Sequence, residues 1–445
     1  MTKTSSQSAQ PKPAAASIGS ARTRVRWYLV CCLFALSAVA FLDRVNISVA
    51  GASLAAAYHL NNLQLGWVFS AFLAGYALFQ TPGGRLADKL GPRRVLATGV
   101  IWWGIFTALT ASVPPNVRAP LLVLMVIRFL LGAGEAVMYP ASNQFVSRWI
   151  PAQERGIANG WIFAGVGAGA GLSPPLITYV MLNYGWRVSF WICAFIGLGA
   201  GLAWFLLARD RPEAHSRVSR AEIEYIQHGL PAAHSMSGQR LLAWSVILRS
   251  REVWAMTFSY FSFGYVAWIF FSWFYIYLAQ VRNLNLKASA GFAMLLFLAM
   301  AASCPLGGLI SDRICTKYGA RAGRCSLAAA ALGLAAIFLV VGSEANSATI
   351  ASLVLAGGAG ALYLAQSSFW SVTADIAGPS SGSVSGFVNM GAQLGGALTA
   401  SLTPAIANRF GWTASFLVAA GLCVLGALSW TIVDPARTLE TRTGE

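Results

Sequence analysis

The chain has 445 residues, of which 57% are hydrophobic and only 10% charged, with a formal net charge of +16 and a mean hydropathy of +0.61. A water-soluble chain carries about 25% charged residues, so this composition excludes a soluble enzyme or binding domain and points to a bilayer as the solvent. The surplus of basic residues then has to be read as membrane topology before any nucleic-acid role is considered.

In chain order, residues 1–26 are polar and basic and are expected to form a cytoplasmic N-terminal tail. Apolar blocks follow at 27–57, 65–87, 93–112, 119–149, 154–182 and 187–208. Each has at least the roughly 20 residues a helix needs to cross a hydrocarbon core of about 30 Å. The first block carries Asp43-Arg44 at its centre, which a cleaved signal would not, so it is read as a retained helix. A basic segment, 209–251, is expected to be a cytoplasmic linker, with Ser219 and Glu222 forming a capping box that opens a short surface helix. Six more blocks follow at 252–280, 288–311, 323–342, 347–374, 381–408 and 412–433, and a short cytoplasmic tail at 434–445. The expected fold is therefore an all-α membrane protein of twelve transmembrane helices in two six-helix bundles, 27–208 and 252–433.

Cytoplasmic loops collect Lys and Arg. With both termini inside, the expected outer loops keep only Arg118, Arg187, Arg282, Lys287 and Arg409 of the 31 basic residues, while Arg44 and Arg128 lie within spans. The positive charge is thus accounted for without nucleic acid. The seven cysteines fall in spans or on the inner side, so no disulfide framework is implied. The four histidines show no metal-ligand spacing, and no nucleophile–base pair stands out, so neither a metal, a cofactor nor an enzyme activity is expected.

The two halves repeat each other. YGWRVSF at Tyr184 recurs as FGWTASF at Phe410, and GGRLADKLGPRR at Gly83 recurs, with an insertion, as GGLISDRICTKYGARAGR at Gly307. Gly134 and Tyr139 match Gly358 and Tyr363 at the same spacing of about 225 residues. Duplicated six-helix units suit a transporter that rocks its halves about a site near the bilayer midplane. The repeat is also an internal control: Glu135 pairs with Ala359 and Arg128 with Ser352, so charge is confined to one half.

Charges inside a bilayer are costly and need partners or a watery cavity. Four lie within the first and fourth spans: Asp43, Arg44, Arg128 and Glu135. Arg128 and Glu135 are two helical turns apart and share a face with Tyr139 and Ser142. Arg stays charged and offers a planar fork to a carboxylate, whereas buried Asp and Glu can take up and release protons. The bland alternative is that the four form buried ion pairs, Arg128–Glu135 and Asp43–Arg44, that only hold two helices together.

The motifs resemble a known family. The loop Gly84, Asp88, Lys89, Gly91, Arg93, Arg94 resembles the loop signature of the major facilitator superfamily, which the chain resembles over nearly its whole length. Within it, FLDRVNIS at 41–48, Tyr76 with Gln80 and the following Pro-Gly-Gly, and RFLLGAGEAVMYPA at 128–141 resemble the anion:cation symporters, which take up sugar acids and other organic carboxylates, usually with protons. The resemblance implies a monomeric, multi-pass protein of a bacterial inner membrane whose partners are a small organic carboxylate anion, protons and the bilayer. It implies that Arg44 binds the carboxylate, that Asp43 and Glu135 carry protons with Arg128 controlling Glu135, and that Phe41, Tyr76, Ser367, Trp370, Asn389 and Gln393 contact the substrate. It gives Asp88 and Arg93, and their second copy Asp312 and Arg313, a gating role, with Asp88 reaching the start of the eleventh helix near Ser381. Two positions depart from the sugar-acid pattern: Phe41 stands where Tyr is common and Val166 where Gln is common. Each removes a polar partner for a hydroxyl, so a less hydroxylated or aromatic acid stays open. Also open are a proton-driven exporter, which Arg44 and Arg128 disfavour for cations, and a non-transporting carboxylate sensor. A phosphate-ester exchanger would want Arg from both halves, and no Lys or Arg occurs between Val253 and Gln280.

Overall fold

The computed structural model describes residues 22–230, 241–274 and 277–439. Most of the expected N-terminal tail, residues 231–240 of the linker with His234, Tyr275 and Ile276 of the seventh block, and the last six residues lie outside these.

A bilayer offers no partners to backbone amides, so spanning segments satisfy them internally as helices. The first group of helices is α1 (Val25–Ala57), α2 (Asn62–Leu90), α3 (Pro92–Ser112), α4 (Pro120–Glu135), α5 (Met138–Trp149), α6 (Arg155–Tyr184) and α7 (Trp186–Leu207). Two short helices, α8 (Arg220–Gly229) and α9 (Trp244–Arg249), lie in the linker. The second group is α10 (Arg251–Ser272), α11 (Leu286–Tyr318), α12 (Leu327–Glu344), α13 (Ala348–Leu364), α14 (Gln366–Ala377), α15 (Ser381–Phe410) and α16 (Trp412–Ser429). Among the described residues, ten stretches rather than the expected twelve are long and apolar enough to cross a membrane. One of them, Ala348–Phe410, is 63 residues long and runs through α13, α14 and α15, enough for two crossings. Helix α2 is not among the ten; Gln64 and Gln80 lie at the two ends of its apolar stretch.

Local chemistry sets the ends of these helices. Asn61 and Gln64 exchange hydrogen bonds of 2.9 Å as a capping box at the start of α2. Gly91, Gly185, Gly319 and Gly411 end α2, α6, α11 and α15 with φ between 84° and 89°, a region L side chains avoid. Their placement repeats in the two halves. Pro140 has no N–H to give to the carbonyl of Ala136, and its ring crowds that carbonyl, so α4 stops at Glu135 and α5 starts at Met138.

The repeat extends to packing. In the first group α1 packs on α6, α2 on α4 and α3 on α7; in the second, α10 packs on α15, α11 on α13 and α12 on α16. The halves meet along α6–α11 and α2–α15. Both seams cross on paired glycines, Gly156 with Gly308 and Gly84 with Gly382, where backbones approach so closely that a Cβ has no room.

The linker capping box forms only in part. Ser219 Oγ accepts from Glu222 N at 3.3 Å, but the Glu222 carboxylate turns away to the start of α1, accepting from Thr23 Oγ1, Val25 N, Arg26 N and Arg26 Nη1. A carboxylate there serves the unpaired amides of a helix N-terminus. The linker helix is thereby docked on the first bundle.

Candidate functional site

A cavity of about 720 Å³ lies between the two bundles, lined from both by residues of α1, α2, α4, α5, α6, α10, α11, α13, α14 and α15. It extends to Ser48, Phe69, Pro174 and Ser272, toward the helix ends opposite Asp88. Its volume suits a small metabolite.

The four intramembrane charges meet here, in an order the spacing alone does not reveal. Arg44 Nε donates to Glu135 Oε1 at 2.5 Å, joining α1 to α4, whereas among the described contacts Arg128 pairs with neither carboxylate. Asp43 Oδ2 accepts from Thr107 Oγ1 at 2.6 Å on α3. Asn46, one turn on, is likewise turned to α7, accepting from Ser189 Oγ at 2.8 Å. Arg44 and Arg128 stand on the cavity wall, and Asp43 and Glu135, 3% and 0% exposed, lie behind it. The guanidinium of Arg44 is 4.2 Å from the ring centre of Tyr76 and 4.8 Å from that of Phe41, and both arginines face Phe72. Such cation–π contacts stabilise a cation out of water. Tyr76 reaches this position because Gly132 of α4 lies directly on the α2 backbone at Phe72 and Tyr76.

Several buried atoms of the cluster have no protein hydrogen-bond partner: Arg44 Nη2, Arg128 Nε and Nη1, Glu135 Oε2 and Asp43 Oδ1. Unmet donors thus stand on the cavity wall and unmet acceptors lie behind it. With all four ionised the cluster is formally neutral.

On the opposite wall, Asn389 and Gln393 line the cavity, and Asn389 Nδ2 donates to Gln80 Oε1 at 2.6 Å across the bundles. Ser367 and Trp370 do not reach the wall. They stand behind Tyr260 and Gln366, which do and which the sequence reading missed. Trp370 Nε1 and Gln366 Nε2 both donate to Tyr260 Oη, at 3.1 and 2.8 Å, and Gln366 Oε1 is left without a protein partner.

At the other end of the bundles lies a second set of expected residues. Asp88 accepts from Gly382 N, Ser383 N and Ser383 Oγ at 2.9, 2.8 and 2.5 Å, at the start of α15. Its repeat mate Asp312 accepts from Gly156 N and Ile157 N at 3.0 and 2.7 Å, at the start of α6. Each carboxylate thus caps a helix of the opposite bundle, where free amides and the helix dipole favour an anion. Arg93 and Arg313 stay out of these contacts: Arg93 Nε donates to Phe205 O within its own bundle, and Arg313 is exposed. The cation beside Asp312 is Arg324, at 2.6 Å. Arg155 crosses to Asp375 at 2.5 Å, and Gln144 Nε2 donates to Pro379 O at 2.8 Å. Asp375 falls one residue beyond the block 347–374, in the segment read as a loop, and was not singled out. No group of three or more residues suited to hold a metal occurs among the described residues.

Comparison with known proteins gives one pattern. The sequence profile of the Major Facilitator Superfamily matches residues 33–400 and 371–445. A probable sulfoacetate transporter of Cupriavidus necator is 31% identical over 425 residues, covering 94% of this chain and 96% of that protein. A probable galactarate/D-glucarate transporter of Bacillus subtilis is 28% identical over 304 residues, 66% of this chain and 67% of that one. In fold, the E. coli fucose:proton symporter superposes with a TM-score of 0.70 at 14% identity, over 92% of this chain and 99% of that one.

Proposed function

The chain belongs to the major facilitator superfamily, as a multi-pass membrane transporter among relatives named for organic anions, and from that premise we propose that it takes up an organic carboxylate together with protons by alternating access. The observation that carries the reading is the layering of the buried cluster, two arginines on the cavity wall with two carboxylates behind them. In this reading Glu135, once protonated, releases Arg44 Nε, and the substrate carboxylate takes its place with a two-pronged contact. The bookkeeping is simple: the neutral cluster gains one positive charge with the proton and returns to neutral with a monoanion. A dianion needs a second proton, for which Asp43 is placed. Arg128 is a further donor to the anion and biases the charge of Glu135.

The end of the molecule that carries Asp88 is read as cytoplasmic, with both termini on that side of a bacterial inner membrane and the protein acting as a monomer. The bundles 27–208 and 252–433 rock about the site. The cavity reaches toward the outer helix ends while Asp88, Asp312 and Arg155 tie the bundles together inside, so the form described is closed to the cytoplasm.

A sugar acid is the first substrate class, in keeping with the galactarate/glucarate relative. A shorter or less hydroxylated anion is the second, favoured by Phe41 and Val166 on the wall, where neither can bond a hydroxyl, and in keeping with the sulfoacetate relative. A thermal-shift screen of the purified protein against aldarates, aldonates, uronates, short sulfonated acids and aromatic acids tests both. A ligand at 100 times its Kd adds about 2.7 kcal/mol to the folded state. Stabilisation by aldarates or aldonates supports the first class, and stabilisation by sulfonated or aromatic acids alone supports the second. No stabilisation by any acid would remove the proposal.

A further inference from the structure

A second cavity, of about 340 Å³, lies where α1 begins and α7 ends, lined by Val25, Tyr28, Leu206, Leu207, Arg209, His215, Ser216 and Arg217. We propose that it binds the headgroup phosphate of an anionic phospholipid. Its position is the first reason. Val25 opens one stretch long and apolar enough to cross a membrane and Leu207 closes another, so the cavity lies at the edge of the apolar slab. Tyr28 and Leu206 are 52% and 61% exposed and continue into exposed Leu202 and Phe205 on α7, a surface for acyl chains.

The polar half is built around held and free donors. Arg209 Nη1 donates to Leu206 O and Ala208 O at 2.9 and 2.7 Å, which fixes the guanidinium at the C-terminal end of α7 and leaves its other nitrogens for a ligand. His215 accepts from Arg217 N at Nδ1 and therefore donates from Nε2 to Leu207 O, at 3.2 and 3.1 Å, so it is a fixed strut. The rings of His215 and Trp149 meet edge to face, and Trp149 Nε1 donates to Arg209 O at 3.0 Å. The exposed side chains of Ser216 and Arg217 form no bond to protein among the described residues. The nearby acids are engaged elsewhere, Asp210 with Arg93 N and Glu213 with Gln227. What remains is a pair of guanidinium groups and a hydroxyl over an apolar floor, which suits a phosphate diester carrying hydrocarbon. A soluble phosphate would have no use for that floor.

The test uses the full chain, purified in detergent and stripped of lipid, then mixed with phosphatidylglycerol or phosphatidylcholine and examined by native mass spectrometry. The parent should retain phosphatidylglycerol about fivefold more than phosphatidylcholine, and the S216A/R217A pair should fall to the phosphatidylcholine level, the loss expected for one basic group near a membrane surface. R217K should keep most of the preference, and glycerol phosphate should not compete at millimolar concentration. An unchanged melting temperature of the lipid-free variant shows that it folds. Equal phosphatidylglycerol retention by S216A/R217A, or displacement by glycerol phosphate, overturns the proposal.

Discussion

The residue that decides the site is Arg44, because it is shared between the carboxylate of Glu135 and the cavity. Lys carries the same charge but cannot hold a carboxylate with two parallel N–H groups. R44K should therefore weaken anion binding at least about tenfold, and R44A should abolish it, measured directly on purified protein. R44A also leaves Glu135 buried without its partner, a loss of about 3–5 kcal/mol, so R44A/E135Q should melt above R44A while still failing to bind. Near-parental affinity in R44K would refute the two-pronged contact. E135Q separates coupling from binding, since Gln has the shape of a protonated Glu and frees Arg44. Proton-driven accumulation in proteoliposomes should vanish while anion binding persists. Accumulation at the parental rate would move proton binding to Asp43. These four charges were legible in the sequence as intramembrane charges, but their pairing was not. Spacing along one helix aligned Arg128 with Glu135, whereas the contact that forms, Arg44 with Glu135, crosses between helices and depends on how α1 and α4 are rotated.

At the scale of elements, the repeat was the strongest signal, and it recurs in the helix-ending glycines and in the three pairings within each half. Breaks inside the helices were not visible to a hydropathy reading. The fourth block divides at Ala136 and Val137, ahead of Pro140, and the tenth divides at Ala365, between α13 and α14. A break resets the helical phase, and one residue is about 100° of rotation, which is why Gln366 faces the cavity while Ser367 stands behind it. The insertion in the second loop copy hid Arg324 in the same way: alignment by adjacency picks Arg313, and the fold brings the later arginine back to Asp312. Asp88 at the start of α15 leads to a prediction at this scale. An anion at a helix N-terminus contributes roughly 0.3–2 kcal/mol, enough to shift a two-state ratio up to about thirtyfold. D88N should slow transport and expose the cytoplasmic vestibule to cysteine labelling, with anion affinity in detergent within a few-fold of the parent. Normal transport with unchanged labelling would reduce this loop to an anchor.

In the whole molecule, two regions of opposite character stand toward the two ends of the bundles. One end ties the bundles together through Asp88, Asp312, Arg155 and Gln144, and the cavity runs from the charge cluster toward the other end. A transporter that binds its anion only after Glu135 lets go of Arg44 must take up a proton each time the anion binds. Linkage then sets the sign: the state that binds more protons is favoured at low pH. Anion affinity should fall as pH rises, by at most about tenfold per unit for one proton per anion, and should be flat in E135Q. Isothermal titration of the anion found by the thermal-shift screen, run at one pH in two buffers of different ionisation enthalpy, measures that proton directly. Net proton uptake is the expected result on binding to the parent, with none in E135Q. Binding of the anion to the parent with no proton taken up would contradict it.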